Sequence, residues 1–187
     1  MSADPSPNHR PKRPRGRAFR TADGRVLRVR PVRVDDTEAL KRGFARLTPE
    51  QVRQRVFHRM TELSEQAAHN LVHFDPAMTA AFVVVDEDGE IRGEARMHVD
   101  PGGQSAEFAV VVDPSMVGVG IGRALMQRLV SEGRRRGLME LWGSVLADNA
   151  LMLDFSRRLG AQREAVPGEA DLVRVRFDLR RPLRSYD

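Results

Sequence analysis

The stretch DPSMVGVGIGRALMQRL, residues 113–129, contains three closely spaced glycines ahead of a helical pattern. Gly118, Gly120 and Gly122 alternate with aliphatic residues, and an amphipathic helix follows directly. The first N–H groups of a helix have no partner inside it, so such a turn binds an anion where nothing blocks it. No acidic residue lies between residues 115 and 127 to compete. The stretch therefore predicts an anion site made of backbone amides, with phosphate as its natural ligand.

Two common phosphate-binding loops do not fit this spacing. A P-loop requires lysine and then serine or threonine after its last glycine, whereas Arg123 and Ala124 follow here. A dinucleotide-binding fingerprint counted from Gly120 requires a small sixth residue, and that residue is Leu125. The loop is therefore a different one, a short glycine turn between a strand and a helix.

Period-two patterns around the loop predict β-strands, and helical spacing predicts the helices between them. The predicted strands are residues 26–34, 79–86, 91–99, 105–112, 138–146 and 172–179. The predicted helices begin near residues 35, 49, 64, 121 and 149. Turn residues join the three strands between 79 and 112 into an antiparallel meander. This order predicts an α+β domain with a mixed, mostly antiparallel sheet of about six to seven strands flanked by helices.

The net charge of +5 is concentrated in the first part of the chain. Residues 1–20 carry six basic side chains and one acidic one, and the remaining 25 basic and 25 acidic residues cancel. Because this segment is rich in proline and arginine, we expect residues 1–22 to be a disordered leader and residues 23–187 a single domain. The neutral domain argues against nucleic-acid binding, except through the leader.

The absence of cysteine excludes disulfides, thiolate metal sites and a cysteine nucleophile. His69 and His73 have the four-residue spacing of a zinc pair, but Asp75 is the one further ligand nearby, so no metal is expected. No apolar run approaches the roughly 20 residues of a membrane span. We therefore expect a cytoplasmic protein without a membrane partner.

The run LADNALMLDFSRRLG, residues 146–160, supplies a second pattern downstream of the glycine loop. With it, the chain resembles the GNAT superfamily of acetyl-CoA-dependent N-acyltransferases across residues 26–179. Val117–Gly122 followed by Leu125 is similar to the pyrophosphate-binding motif of the superfamily, and Asn149, Leu159 and Gly160 are similar to its second signature. A narrower resemblance is to the catalytic domain of bacterial Pat-type protein lysine acetyltransferases. Four segments carry it: VRPVRVDD (29–36), RLTPEQVRQRVFH (46–58), AEFAVVV (106–112) and GSVLADNALML (143–153).

The resemblance implies a site for acetyl-CoA or another short acyl-CoA. The backbone of Val110, Val111 and Val112 would pair with pantetheine as an added strand, and Asn149 would hydrogen-bond the pantetheine arm. The pyrophosphate would lie on the loop residues Val117, Gly118, Val119, Gly120, Ile121, Gly122 and Arg123. The alternative is that these valines and glycines serve core packing and tight turns alone.

The chain departs from the family pattern in the loop and in the second signature. The family usually has arginine or glutamine at Val117 and often a basic residue at Val119. Losing one charge-assisted hydrogen bond costs about 1.5–3 kcal/mol unless another group substitutes, and Arg123 is the nearest candidate. Many members have a tyrosine where this chain has Ser156, which we place with the cofactor-binding residues. The leaving thiolate would then take its proton from another source, such as water.

An amine acceptor has to lose a proton before it attacks a thioester. For a lysine with a pKa of about 10.4, the neutral fraction at pH 7 is about 10⁻³·⁴, which corresponds to about 4.6 kcal/mol. Glu107 resembles the strand glutamate that serves as the base in Pat-type enzymes, and we expect partial burial to make it a better base. The alternative is that Glu107 faces water in an alternating strand. Glu94 and His98 are reserves, and the register decides which of them shares a face with Glu107.

These patterns and the resemblance together predict an N-acetyltransferase. It would transfer an acetyl or short acyl group from acyl-CoA to a primary amine, by direct attack in a ternary complex. The narrower resemblance implies a protein lysine side chain as the acceptor. The alternative is a catalytically weak acyl-CoA sensor or a partner-binding module.

Overall fold

The computed structural model describes residues 16–56 and 63–185 of the chain. The strands are β1 Arg17–Arg20, β2 Val26–Pro31, β3 Thr79–Val85, β4 Ile91–Val99, β5 Ser105–Val112, β6 Glu140–Leu146, β7 Gln162–Val166 and β8 Glu169–Asp178. The helices are α1 Thr37–Ala45, α2 Pro49–Val56, α3 Glu65–Val72, α4 Ile121–Arg135 and α5 Ala150–Leu159. Within these residues, no helix is long and apolar enough to cross a membrane.

The strands form one eight-stranded sheet in the order β1-β2-β3-β4-β5-β6-β8-β7. Every neighbouring pair is antiparallel except β5 and β6, which are parallel. The predicted α+β class with a mixed, mostly antiparallel sheet is confirmed. The sheet has more strands than the expected six or seven because β1 and β7 are short edge strands with little alternation of apolar and polar residues.

The first strand, β1, lies inside the segment that composition assigns to the leader. It pairs with β2 along its whole length, with Arg17 opposite Val29 and Arg20 opposite Val26. The folded part of the chain therefore begins by residue 17 and not at residue 23. Residues 1–15 of the expected leader lie outside the described residues.

Helices cover both faces of the sheet. On one face, α4 and α5 pack on the main core, where Leu125, Leu129 and Leu141 are fully buried. Gly93 in β4 allows the close approach of α4, because a Cβ there would lie 2.7 Å from Ile121 Cγ2. On the other face, α1 and α3 enclose a smaller cluster that contains Leu40 and Val83. The start of α4 is thus pressed against the middle of the sheet.

The sheet is open between its two parallel strands. β5 pairs with β6 over three residues, from Ser105 opposite Glu140 to Glu107 opposite Trp142. Beyond this point β6 continues beside β8, whereas residues 108–112 of β5 pair with β4 alone among the described strands. The edge of β5 that faces β6 is therefore left without a partner strand over these residues.

Candidate functional site

A cleft of about 830 Å³ lies where β5 and β6 separate. It extends from the loop before α4, along β5, to the point where the two strands meet. The predicted site residues that line it are Glu107, Val110, Val111, Val112, Val117, Gly118, Val119, Gly120, Gly122, Arg123 and Asn149. The fold thus brings together, in one cavity, nearly all the residues that sequence reasoning selected. Ile121 and Ser156 are the two that do not line it.

The glycine loop presents backbone N–H groups to this cleft. Gly120 caps α4 with a φ of 103° and provides no side-chain cap. The first α-helical bond runs from Ala124 N–H to the Gly120 carbonyl (3.1 Å), so the N–H groups of Ile121, Gly122 and Arg123 have no helical acceptor. No acidic residue lies in the first turn. These amides and the positive end of the helix macrodipole favour an anion at this place.

The three glycines of the loop serve two different purposes. Gly118 and Gly120 have φ values of 86° and 103°, and a Cβ at either would meet nothing within 4 Å. They allow left-handed backbone and leave open space for a ligand. At Gly122, by contrast, a Cβ would lie 3.2 Å from Phe155 Cζ. Its missing side chain therefore lets α5 pack against α4, so anion access does not account for all three glycines.

The open edge of β5 presents the backbone of alternate residues. Asp113 N–H donates to the Arg92 carbonyl (2.9 Å), which sets the alternation of the β4–β5 ladder. The backbone groups of Val111 accordingly point to β4, and those of Val110 and Val112 point to the cleft. The expectation that all three valines pair with a ligand through their backbone is wrong at Val111, because its groups are used within the sheet.

The side chain of Asn149 lies at the mouth of the cleft and caps α5. Its Oδ1 accepts a hydrogen bond from Met152 N–H (3.0 Å), which satisfies one free amide of that helix. The cap uses the carbonyl half of the amide group, and the NH₂ half keeps its two donors. Capping and ligand binding are therefore compatible roles for Asn149.

Ser156 does not reach the cleft. It is 0% exposed, and its hydroxyl has no hydrogen-bond partner among the described residues. Helical periodicity explains this, because Ser156 lies on the buried face of α5 with Leu153 and Leu159. Phe155 lines the cleft instead. The placement of Ser156 with the cofactor-binding residues is therefore wrong. Ile121 is 1% exposed, so its side chain belongs to the core and does not line the cleft.

Glu107 and His98 are neighbours at the closed end of the cleft. They are directly opposite each other in the β4–β5 register and therefore share a face of the sheet. Both are exposed and line the cleft, so the expected partial burial of Glu107 is wrong. Thr79 Oγ1 lies 2.9 Å from His98 Nδ1 and orients that ring. Glu94 shares the same face but is 5% exposed and bound to Arg96 Nε at 2.6 Å.

Sequence reasoning missed the contribution of Gln51 to the cleft. Thr48 and Gln51 form the predicted capping box of α2, with Gln51 N–H donating to Thr48 Oγ1 (3.2 Å) and Thr48 N–H to Gln51 Oε1 (3.1 Å). The amide group of Gln51 also donates from Nε2 to the Val112 carbonyl at 2.9 Å. The capping pattern already accounts for a glutamine at position 51, so the sequence gives no sign of its second contact, which is 61 residues away.

Asp113 anchors the glycine loop at its upstream end. Its Oδ1 accepts hydrogen bonds from the N–H (3.0 Å) and hydroxyl (2.6 Å) of Ser115, and its Oδ2 accepts from Arg46 Nε (2.9 Å) and Arg92 (3.1 Å). Burial by itself would raise the pKa of the Asp113 carboxyl. The hydrogen bonds from Ser115, Arg92 and Arg46 outweigh burial and hold the pKa below its ordinary value.

We expect Asp113→Asn to lower the free energy of unfolding by about 1–3 kcal/mol at pH 7, because it removes a buried charge that two arginines require. A lowered pKa stabilises the fold above the unfolded value of about 3.9 and ceases to do so as the pH falls through the folded value. Urea denaturation should therefore show a difference from wild type that is full at pH 7 and shrinks below about pH 4. A difference that does not depend on pH would contradict the role of the charge.

Within the described residues, no group of three or more histidine, cysteine, aspartate or glutamate side chains could hold a metal ion. His69 and His73 stack on each other with their ring centroids 3.8 Å apart. The four-residue spacing of these histidines therefore brings their two rings into contact.

The protein belongs to a class of α+β proteins whose mostly antiparallel sheet opens between two parallel strands. The opening lies beside an amide-rich helix start and can admit an elongated anionic ligand. Residues 41–161 match the family described as "Acetyltransferase (GNAT) family". The acetyltransferase PA5475 of Pseudomonas aeruginosa is 30% identical over 160 residues, 84% of this chain and 86% of that protein. The chain therefore belongs to the GNAT acetyltransferase family and is an acyl-CoA-dependent N-acyltransferase.

Solved structures agree with this membership. The GNAT domain of S. lividans PAT is similar with a TM-score of 0.81 and 26% identity, over 87% of this chain and 96% of that one. The resemblance to Pat-type catalytic domains is thus confirmed. Spermidine N-acetyltransferase from Vibrio cholerae, in complex with CoA and spermine, has a TM-score of 0.66 and 17% identity over 82% of this chain and 96% of that one. At this identity the likeness concerns the fold alone.

Proposed function

We propose that this acyltransferase moves an acetyl or short acyl group from acyl-CoA to the side-chain amine of a protein lysine. One observation carries the proposal: a single cleft joins the amide-rich loop at one end to the exposed carboxylate of Glu107 at the other. The loop suits a diphosphate, and the carboxylate suits an ammonium group. We also propose the cytoplasmic location expected from the sequence.

The acyl donor fits this cleft by length and by hydrogen bonding. From Val112 to Glu107 the strand β5 extends five residues, or about 17 Å, which an extended pantetheine arm can follow. The backbone of Val110 and the N–H of Val112 supply donors and an acceptor along the open edge, and the Val112 carbonyl already binds Gln51. In this proposal, Asn149 holds the arm from the other side through its amide NH₂. The diphosphate lies on the N–H groups at the start of α4.

Glu107 is the base in this mechanism. The acceptor amine attacks the carbonyl carbon of the donor thioester, so that a C–N bond forms and the C–S bond breaks. CoA leaves as a thiolate, which takes a proton from water. Glu107 removes a proton from the acceptor ammonium group and so makes its nitrogen nucleophilic. The exposed carboxylate also attracts the positively charged acceptor before the transfer. His98 lies beside Glu107 on the same face of the sheet and is the second proton acceptor in this proposal.

The choice of a lysine acceptor rests on the Pat-type resemblance. It is supported by the GNAT domain of S. lividans PAT as a structural neighbour and by the four sequence segments that match the Pat pattern. A protein of the same fold can serve a different amine, since the Vibrio cholerae neighbour is a spermidine N-acetyltransferase.

Two peptides of one sequence would identify the acceptor. The first has a free lysine and a blocked N-terminus, and the second has a blocked lysine and a free N-terminus. Thiol release from acetyl-CoA, followed by mass spectrometry, should show acetylation of the first peptide alone, and spermidine should be a poor substrate. Acetylation of the second peptide or of spermidine would contradict the lysine proposal. Tight acetyl-CoA binding in calorimetry with no turnover on any of these amines would favour the sensor alternative.

A further inference from the structure

The glycine loop lacks the cationic side chains that commonly assist phosphate binding. Val117 is 42% exposed on the cleft side, and Val119 packs partly against the core. Arg123, the nearest basic residue in sequence, lines the cleft but also donates from its guanidinium to the Arg184 carbonyl (3.3 Å). Arg123 is therefore the one basic side chain that the loop itself offers to a doubly charged diphosphate, and a second cation would have to come from another segment.

The turn between β1 and β2 contacts this loop directly. Ala22 N–H donates to the Val119 carbonyl at 3.1 Å. The turn is rigidly formed, because Thr21 N–H donates to the Arg25 carbonyl (2.9 Å) and Gly24 N–H donates to the Thr21 carbonyl (3.0 Å). Thr21 itself is 5% exposed. The start of the folded chain is thus fixed against a loop almost 100 residues further along the sequence.

Arg20 enters the cleft from this turn. It lines the cavity together with Ala22 and the glycine loop. One of its terminal nitrogens donates to the Gly24 carbonyl at 2.8 Å, which orients the guanidinium. The other arginines of the cleft wall include Arg96 and Arg158, each bound to a carboxylate at 2.6 Å. Arg20 is exposed and makes no ion pair with any carboxylate in residues 16–56 and 63–185.

We propose that Arg20 is a binding residue for the diphosphate of the acyl donor, supplied by the β1–β2 turn in place of a basic side chain at Val117 or Val119. The guanidinium keeps donors free beyond its bond to Gly24 and can form charge-assisted hydrogen bonds to phosphate oxygens. Its fixed turn lowers the entropy that a long side chain loses on binding. This inference rests on the proposed acyl-CoA site.

Calorimetry with CoA and with dephospho-CoA tests the assignment in Arg20→Gln. We expect both ligands to bind about tenfold more weakly than to the wild type, because each carries the diphosphate. Arg17→Gln is the matched control, since it removes the same charge from the same strand at an exposed position outside the cleft. The control should bind both ligands as the wild type does.

A second measurement separates a local contact from a general charge effect. Raising the salt concentration should weaken CoA binding more in the wild type than in Arg20→Gln, because the variant has lost one screened ion pair. Equal affinity of Arg20→Gln and wild type would overturn the inference, and so would a loss seen with CoA but not with dephospho-CoA, which would place Arg20 at the 3′-phosphate. If the wild type binds neither ligand, the proposed donor site itself fails.

Discussion

Glu107→Gln is expected to lower kcat by about 10²–10⁴-fold, the usual contribution of a positioned general base. The change replaces a carboxylate oxygen by an amide of nearly the same shape, so the cleft keeps its form. Because Glu107 lies at the end of the cleft away from the glycine loop, the affinity for CoA should remain within about twofold. Steady-state kinetics and calorimetry on the same preparation measure the two quantities separately.

The pH dependence of the rate distinguishes loss of a base from a structural effect of this substitution. The wild-type rate should fall at low pH, as general-base catalysis requires, and Glu107→Gln should lose this acidic limb. Glu87→Gln is the matched control, since Glu87 is exposed in the turn between β3 and β4 and does not line the cleft. A Glu107→Gln enzyme that retains the wild-type rate and acidic limb would rule out Glu107 as the base. His98→Gln would then be the next variant to measure.

Gly118→Ala is expected to weaken CoA binding by about 10²-fold. Gly118 has a φ of 86°, where a side chain costs about 1–2 kcal/mol, and nothing within 4 Å would otherwise obstruct a Cβ. The loop can relieve this strain by rotating, and rotation turns its N–H groups away from the diphosphate. Each charge-assisted hydrogen bond that is lost costs about 1.5–3 kcal/mol, so one or two of them account for the expected change.

The turn glycine Gly89 provides a closely matched control for this prediction. Its φ is 84°, its Cβ would also meet nothing within 4 Å, and it lies between β3 and β4 outside the cleft. Gly89→Ala and Gly118→Ala should therefore lose similar amounts of stability in urea denaturation. CoA binding should separate them, because only Gly118 belongs to the loop. Similar CoA affinities for the two variants would contradict diphosphate binding by the loop amides.

The sequence predicts the parts of this protein that neighbours along the chain control. The glycine loop, the capping box of α2 and the three-stranded meander all depend on residues within a few positions of one another. They appear in the structure where the patterns place them. The two missed strands, β1 and β7, are short and exposed, so their pairing with longer neighbours determines them more than their own composition.

The errors at the site share one physical origin. Similarity to a family motif places Ser156 at the tyrosine position, but the rotation of α5 about its axis decides that the cleft receives Phe155. Likewise, three consecutive valines cannot all direct their backbone groups to one edge of a strand, and the ladder with β4 selects Val110 and Val112. The exposure of Glu107 depends on which elements cover its face of the sheet, and no local pattern contains that information.

The α+β class, the family and the backbone chemistry of the glycine loop can be read from the sequence, because turn residues and hydrophobic periodicity act over short distances along the chain. The set of side chains that meet in the cleft depends instead on contacts between distant segments. Gln51 contacts the Val112 carbonyl from 61 residues away, and Ala22, in the turn between β1 and β2, contacts the Val119 carbonyl. Such contacts follow from strand register and helix packing, which depend on the whole core and on no single segment.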